Sequence, residues 1–174
     1  MIKPRQVVVG HDIRLTSEAI KAAVSRGLME QGVDVYDIGL CGTEEIYFAT
    51  SHAGMDGGIA VTASHNPKDY NGMKMVREQS RPISADTGLN TIRDMVAANQ
   101  FTAAATPGSV TALDHRPDYI NRLLASIDVD ALKPMKIVAN PGNGAAGPVM
   151  TALADRLPIE VVELNFTPDG NFPN

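Results

Sequence analysis

Ser64, His65 and Lys74 are side chains whose types and spacing could do chemistry together, within the segment GIAVTASHNPKDYNGMK, residues 58–74. An apolar run delivers Ser64 at its C-terminal end, where layered α/β folds place reacting groups. Asn66-Pro67 then breaks both regular patterns, so the serine is held out on a stiff loop. The local charge differs from that of the whole chain. Between Val61 and Arg81, four basic side chains (Lys68, Lys74, Arg77, Arg81) stand against two acidic ones (Asp69, Glu78), a balance of +2 in a chain of net charge -5. A phosphorylated serine brings roughly -1.5 to -2 of charge, which such a cluster would suit. Each signal also has a plainer reading: a serine after a strand is usually a turn residue, and a basic cluster is usually a solvated face. Adjacency in sequence does not make His65 a triad partner, because nucleophile and base must meet through space. The segment also lacks the G-x-S-x-G elbow of serine hydrolases.

The elements that must position this loop alternate in period. Residues 6–10 (QVVVG) form the β-branched run of a strand buried on both faces. Thr16 or Ser17 can then cap a helix with Glu18 in its first turn. Ile20, Ala23, Val24, Gly27 and Leu28 fall on its inner face, and Gly32 suits its C-terminal turn. Residues 33–38 read as the next strand. A second helix starts at Thr43, with Ile46, Ala49, Thr50 and Ala53 inward and Gly54 closing it. Residues 58–63 form the third strand and 72–77 a short extended segment, and Leu89, Ile92, Met95 and Val96 mark another amphipathic helix. This order predicts a layered αβα domain over residues 1–116, its sheet mixed but mainly parallel. Residues 100–116 carry neither period and read as a linker or an exposed β-ribbon. From Pro117 the pattern restarts: a helix through Ile120, Leu123, Leu124 and Ile127, a strand (MKIVAN), a glycine-rich turn, a helix through Leu157, and a strand (IEVVEL). Residues 117–174 are thus the start of a second α/β unit, incomplete because two strands and one helix bury too little apolar surface to stand alone.

Composition narrows the function class. The chain has 174 residues, 44% hydrophobic and 20% charged, which is the balance of a globular protein rather than a disordered tail. No apolar run approaches the roughly 18 residues of a membrane span, and the first ten residues lack a signal-peptide core; we expect a cytoplasmic protein. The net acidity and the absence of Trp argue against a nucleic-acid partner. A single cysteine, Cys41, excludes an intramolecular disulfide, and His11, His52 and His115 lack zinc-ligand spacing. Nothing beside Cys41 in sequence would lower its pKa, so it reads as a small structural residue. Glu44-Glu45 reads as the solvated start of a helix, with a functional role for this pair as the alternative. Gly142, Gly144 and Gly147 make G-x-G-x-x-G between a strand and a helical stretch, with Glu163 about 20 residues on, which superficially meets the dinucleotide-binding fingerprint. Against that reading, Pro141 stiffens the turn and the βαβ unit is cut short.

In combination the motifs resemble one family. TASHNP followed by YNGMK is similar to the active-site signature of the α-D-phosphohexomutases, the phosphomannomutase and phosphoglucomutase superfamily. DIRLTS, GTEEIYFAT, RPISADTGL, NPGNGAAGP and TPDGNFPN, all present here in order, resemble segments of its bacterial phosphomannomutases. The resemblance implies that Ser64 carries a phosphoryl group and exchanges it with a hexose phosphate through a bisphosphorylated sugar. Mannose 6-phosphate and mannose 1-phosphate would interconvert, a step in carbohydrate metabolism toward GDP-mannose. It implies acid/base or phosphate contacts for His65, proton transfer or charge stabilisation for Lys74, and a place near the phosphoserine for Arg14. Asn66 and Lys68 would join the phosphate-binding surroundings, with Asn66 also shaping the loop. Mg²⁺ is implied as cofactor, held in part by the phosphate on Ser64, since phosphoryl transfer depends on positioning and on positive charge around the moving group.

The resemblance also exposes departures. The family's Y-D-I-R-G arginine motif and its D-G-D-x-D-R magnesium loop are not in these 174 residues. Asp169-Gly170-Asn171 belongs to TPDGNFPN instead. The expectation is therefore most of domain 1 and the start of domain 2, with negligible turnover by this chain alone. A phosphoglucomutase or dual-specificity enzyme remains an alternative, as does a non-catalytic phosphate-binding module built on Arg14, Lys68 and Lys74. Oligomeric state is left open.

Overall fold

A computed structural model describes residues 3–99 and 101–174. Gln100, the first residue of the stretch read as a linker, lies outside the described residues. The chain runs β1 (Gln6–His11), α1 (Ser17–Glu30), β2 (Asp34–Leu40), α2 (Thr43–His52), β3 (Gly57–Val61), β4 (Met73–Arg77), β5 (Arg81–Pro82), α3 (Asn90–Ala98), β6 (Val110–Ala112), α4 (Arg116–Leu124), β7 (Met135–Ala139), α5 (Ala146–Ala154) and β8 (Ile159–Glu163). Strands β1 to β6 form one sheet in the order β5-β4-β3-β1-β2-β6. β1 pairs in parallel with β2 and β3, and β6 extends β2 in parallel, whereas β4 and β5 run antiparallel. The sheet is mixed and mainly parallel, as the periodicity predicts.

The β-branched run explains why β1 is central. Successive side chains point to opposite faces, and both faces are covered. Val8 packs with Ile38, Cys41, Ile46, Ala49, Met55 and Ala60 beneath α2. Val7 and Val9 pack with Val33 and Val35 beneath Val24, Leu28 and Met29 of α1. Each fully buried valine contributes about 1.5–3 kcal/mol of apolar transfer. The two helices thus clamp the sheet and carry the loops at its C-terminal edge.

Several inward faces shift from their expected places. In α1, Ala23 and Gly27 are exposed, and the inner stripe runs through Ser17, Val24, Ser25 and Leu28. The cause is polar: Ser17 Oγ donates to Asp12 Oδ1 at 2.5 Å, which pulls the first turn inward. In α2, Ile46, Ala49 and Thr50 are buried as expected, but Ala53 is exposed because the helix stops at His52 and the chain turns back at Gly54 (φ +63°). Helix α3 buries no residue, although its apolar spacing is clear. Ile92 and Met95 instead line one side of an open cleft of about 530 Å³, against Val7, Ile59, Met75 and Ile83. Of the two readings of residues 100–116, linker or exposed β-ribbon, the structure holds part of each: Ala104 N donates to the end of α1 at Glu30 O (2.8 Å), and the exposed residues 110–112 pair with β2.

The second unit is slighter. β7 and β8 pair in parallel as a two-stranded sheet, with no buried residue in either. α5 ends at Ala154 rather than Leu157. α4 buries Ile120 and Leu124, whereas Ile127 lies beyond its end and is exposed. Tyr119 of α4 meets Phe48 of α2 with 5.3 Å between ring centroids. Among the described residues, no helix is long and apolar enough to cross a membrane.

Candidate functional site

The loop after β3 is built around one left-handed residue. Ser64 has φ +54°, a conformation that L side chains rarely adopt. Its N–H donates to Thr62 Oγ1 at 2.9 Å, and Thr62 Oγ1 donates in turn to Asp12 Oδ2 at 2.6 Å. Arg14 lies beneath the loop and is only 5% exposed. Its Nη1 donates to Pro67 O (2.6 Å) and Tyr70 O (3.0 Å), and its Nη2 to Ser64 O (2.7 Å) and Asn66 O (2.8 Å). Its Nε donates to Asp12 Oδ2 at 3.2 Å. Asn66 Nδ2 donates to Ala63 O at 2.8 Å, so its side chain also shapes the loop.

Above this frame the reactive side chains are accessible. Ser64 and His65 are both exposed, and Ser64 Oγ is hydrogen-bonded to His65 Nδ1 at 2.9 Å. Neighbours in sequence do meet through space here, because the left-handed turn swings the two side chains together. Both line a cavity of about 330 Å³ at the C-terminal edge of β1 and β3, with His11, Asp12, Thr43 and Phe172. The starts of α2 (Gly42, Thr43) and α5 (Gly144 to Ala146) also border it. Helix N-termini present unpaired N–H groups and partial positive charge, which suits an anion. Lys74 lies on β4 opposite Ala60, and its Nζ donates to Thr43 Oγ1 at 3.4 Å on the rim. Ser64 and His65 therefore share the cavity, and Lys74 reaches its rim through Thr43 without lining it. Lys68 is exposed on the loop and, like Asn66, does not line the cavity.

Behind the rim is a buried charge cluster around Glu45 whose partners His115 and Arg116 the sequence did not indicate. Glu45 is 2% exposed, not the solvated helix start expected for Glu44-Glu45; only Glu44 faces solvent. Its Oε2 accepts from His115 Nε2 at 2.7 Å and from Arg116 Nε at 3.2 Å, while Oε1 accepts from Gly42 N at 2.9 Å. Burial alone would push the Glu45 carboxyl up, but the bonds from His115 and Gly42 and the Arg116 charge outweigh it and hold it below the usual range. The i, i+3 spacing of Gly42 and Glu45 at a helix start was the available signal. Cys41 is buried alongside; burial, then the Glu45 charge, push its thiol up to about 12. This agrees with a structural role.

The donor set does not fit magnesium by itself. Both Asp12 oxygens are occupied by Arg14, Ser17 and Thr62. Among the described residues, no group of three or more His, Cys, Asp or Glu could hold a metal ion. The glycine-rich turn likewise offers little to a dinucleotide. The N–H groups of Gly142, Asn143 and Gly144 already donate to Asn140 Oδ1, Asn165 O and Pro141 O. A side chain at position 147 would collide with Phe166 O, so the third glycine serves packing within the unit.

Comparison with known proteins decides the family. The model of the phosphoglucomutase/phosphomannomutase α/β/α domain I matches residues 2–103, and that of α/β/α domain II matches residues 117–174. The chain belongs to the phosphoglucomutase/phosphomannomutase family. A phosphomannomutase of Salmonella montevideo is 55% identical over 180 aligned positions, covering 99% of this chain and 40% of that protein. A protein named phosphohexose mutases from Xanthomonas campestris is 58% identical over 172, covering 97% and 38%. The crystal structure of a phosphoglucomutase/phosphomannomutase family protein from Burkholderia thailandensis superposes with a TM-score of 0.83 at 38% identity, covering 97% of this chain and 37% of that one. The chain thus spans about 40% of the length of the curated relatives it matches. Within the family frame, Asp12 and Thr62 are the positions that sequence reading did not single out; they support the Ser64 turn.

Proposed function

We propose that this chain carries the phosphoserine part of a hexose-phosphate mutase, with residues 1–116 as its first domain and 117–174 as the start of its second. The observation that carries the reading is Ser64 itself, exposed on a pinned left-handed turn beside His65, at the mouth of a cavity bordered by two helix N-termini. The reaction is a pair of reciprocal transfers. The O–P bond on Ser64 Oγ breaks as a hydroxyl of the hexose monophosphate forms its own bond to phosphorus and loses a proton. The resulting bisphosphate returns its other phosphoryl group to Ser64 Oγ, which releases its proton, and the isomeric monophosphate leaves. His65 Nδ1 is placed to hold or return the proton at Ser64 Oγ, and the Lys74 ammonium steadies negative oxygens at the rim.

The substrate class is a hexose phosphate, with mannose favoured by the relatives named phosphomannomutase and a dual specificity by the relative named phosphohexose mutases. Magnesium belongs to this reading as the cofactor implied by resemblance, and would supply positive charge to the transferring phosphoryl group. Because these residues do not make a metal site, we expect negligible steady-state turnover by this chain alone, with only a slow single transfer from a bisphosphate to Ser64 over a long incubation. Incubation with ³²P-labelled glucose 1,6-bisphosphate should leave one phosphate, located at Ser64 by mass spectrometry and absent from Ser64→Ala. Label elsewhere, or equal label in Ser64→Ala, sinks the proposal.

A further inference from the structure

We propose that Asp12 and Arg14 are positioning residues that hold the Ser64 turn, and that Arg14 is committed to the loop backbone rather than to phosphate. The inference deepens the phosphoserine reading and rests on it for its consequence in phosphoryl transfer. Its structural content is independent of that reading.

The hydrogen-bond count carries it. A guanidinium has five N–H donors in a fixed fork and no acceptor. In Arg14 the single Nε hydrogen goes to Asp12, the Nη1 pair to Pro67 O and Tyr70 O, and the Nη2 pair to Ser64 O and Asn66 O. All five donors are occupied and the side chain is buried, so a phosphate oxygen could be bound only by giving up a carbonyl. Asp12 is equally committed. Its carboxylate accepts from Arg14 N (3.0 Å) and Ser17 Oγ (2.5 Å) on Oδ1, and from Arg14 Nε and Thr62 Oγ1 on Oδ2. Thr62 Oγ1 then takes the Ser64 N–H.

The two halves of this network hold the two peptide groups that flank the Ser64 α-carbon. Asp12, through Thr62, fixes the Ser64 N–H. Arg14 fixes the Ser64 carbonyl and gathers three further carbonyls between Asn66 and Tyr70 around one cation. A strained φ persists only where the surroundings over-determine it. Here the over-determination comes from β1 and the loop after it, which place Asp12 and Arg14 two residues apart under the β3 loop. Ser64 Oγ is left as the unconstrained end of a constrained residue, presented to the cavity and to His65. Lysine cannot replace Arg14, because a point ammonium with three donors cannot span the four carbonyls.

Hydrogen exchange by mass spectrometry tests the clamp without requiring activity. In Arg14→Lys, amides of residues 63–72 should exchange roughly tenfold faster than the common increase shown by β1 and β2 amides. Thr62→Val keeps the side-chain shape and should loosen the peptide holding Ser64 and His65. It serves alone if Arg14→Lys does not fold. The transfer arm uses ³²P-labelled glucose 1,6-bisphosphate on the same proteins. The rate of Ser64 labelling should fall about a hundredfold in Arg14→Lys, as expected for a misplaced nucleophile, with the half-saturating concentration unchanged. Loop exchange that matches wild type in Thr62→Val and in folded Arg14→Lys overturns the proposal. So does a raised half-saturating concentration with wild-type loop exchange, which would make Arg14 a phosphate ligand. If the wild-type chain takes no label, the phosphoserine reading fails, and the exchange arm still decides the clamp.

Discussion

Two turns in this molecule look alike in backbone and differ in what they leave accessible. The turn after β3 places Ser64 at φ +54°, and the turn after β7 places Asn143 at φ +61°. Both follow a parallel strand, and both lie near the cavity where the two units meet. Ser64 has its backbone pinned and its side chain exposed. Asn143 is buried and spends everything it has on the segment after β8. Its N–H donates to Asn165 O, its carbonyl accepts from Asp169 N, and its Nδ2 donates to Thr167 O at 2.9 Å. Backbone strain at a strand end therefore does not by itself identify a reactive residue. What distinguishes them is whether the strain holds a side chain out or folds it in.

That contrast can be broken by exchanging the expected losses. Ser64→Ala should abolish phosphate incorporation entirely while changing stability by no more than about 0.5 kcal/mol, the range for exposed positions; urea melts run beside the labelling assay would check both. Next in size is Glu45, which couples the start of α2 to His115 and Arg116. Glu45→Ala should cost about 3–5 kcal/mol, since it leaves buried partners unpaired. Its carboxyl titrates lower in the folded state than the ordinary value of 4.5. The stability it supplies is therefore complete above that value and is lost as pH falls below it through the folded pKa. Glu45→Gln should flatten that acid limb in melts recorded across the range, and an unchanged slope would show that other carboxylates control it.

Asn143→Ala should lose about 1–3 kcal/mol, because it strips a buried amide from its partner. It should leave the Ser64 turn itself in place, so hydrogen exchange ought to rise over residues 165–174 and not over 63–72. Equal loosening of both loops would mean that the two turns are one cooperative unit. The smallest effect belongs to Cys41. With its thiol pushed up to about 12, iodoacetamide at pH 8 should leave it unmodified in the folded chain and alkylate it only after unfolding. Rapid native-state alkylation would show that the rim opens on its own.

Much of this was legible in one dimension. The valine run of β1, the apolar stripes of α1 and α2, and the β-α-β-α-β order announce a layered sheet because burial on two faces or one imposes different periods. TASHNP marks the loop, since Asn-Pro must end the strand. The expected faces slipped where polar contacts overrode apolar spacing, as when Asp12 draws Ser17 inward and exposes Ala23 and Gly27. β6 could be expected only as an exposed ribbon without bounds, because three exposed residues leave no pattern. The stripe of α3 was visible, but sequence could not tell that it would border an open cleft.

Sequence by itself settled the residue types at the site and the strand that delivers them, because strand and turn preferences act over a few neighbouring positions. It could not say that Arg14 commits four of its five donors to carbonyls 50 or more residues away and the fifth to Asp12, nor that Glu45 is buried against His115 across 70 residues. Those outcomes depend on which donor and acceptor meet when β1, β3 and α2 pack. Burial then makes each satisfied pairing obligatory, and only the folded chain brings the partners together.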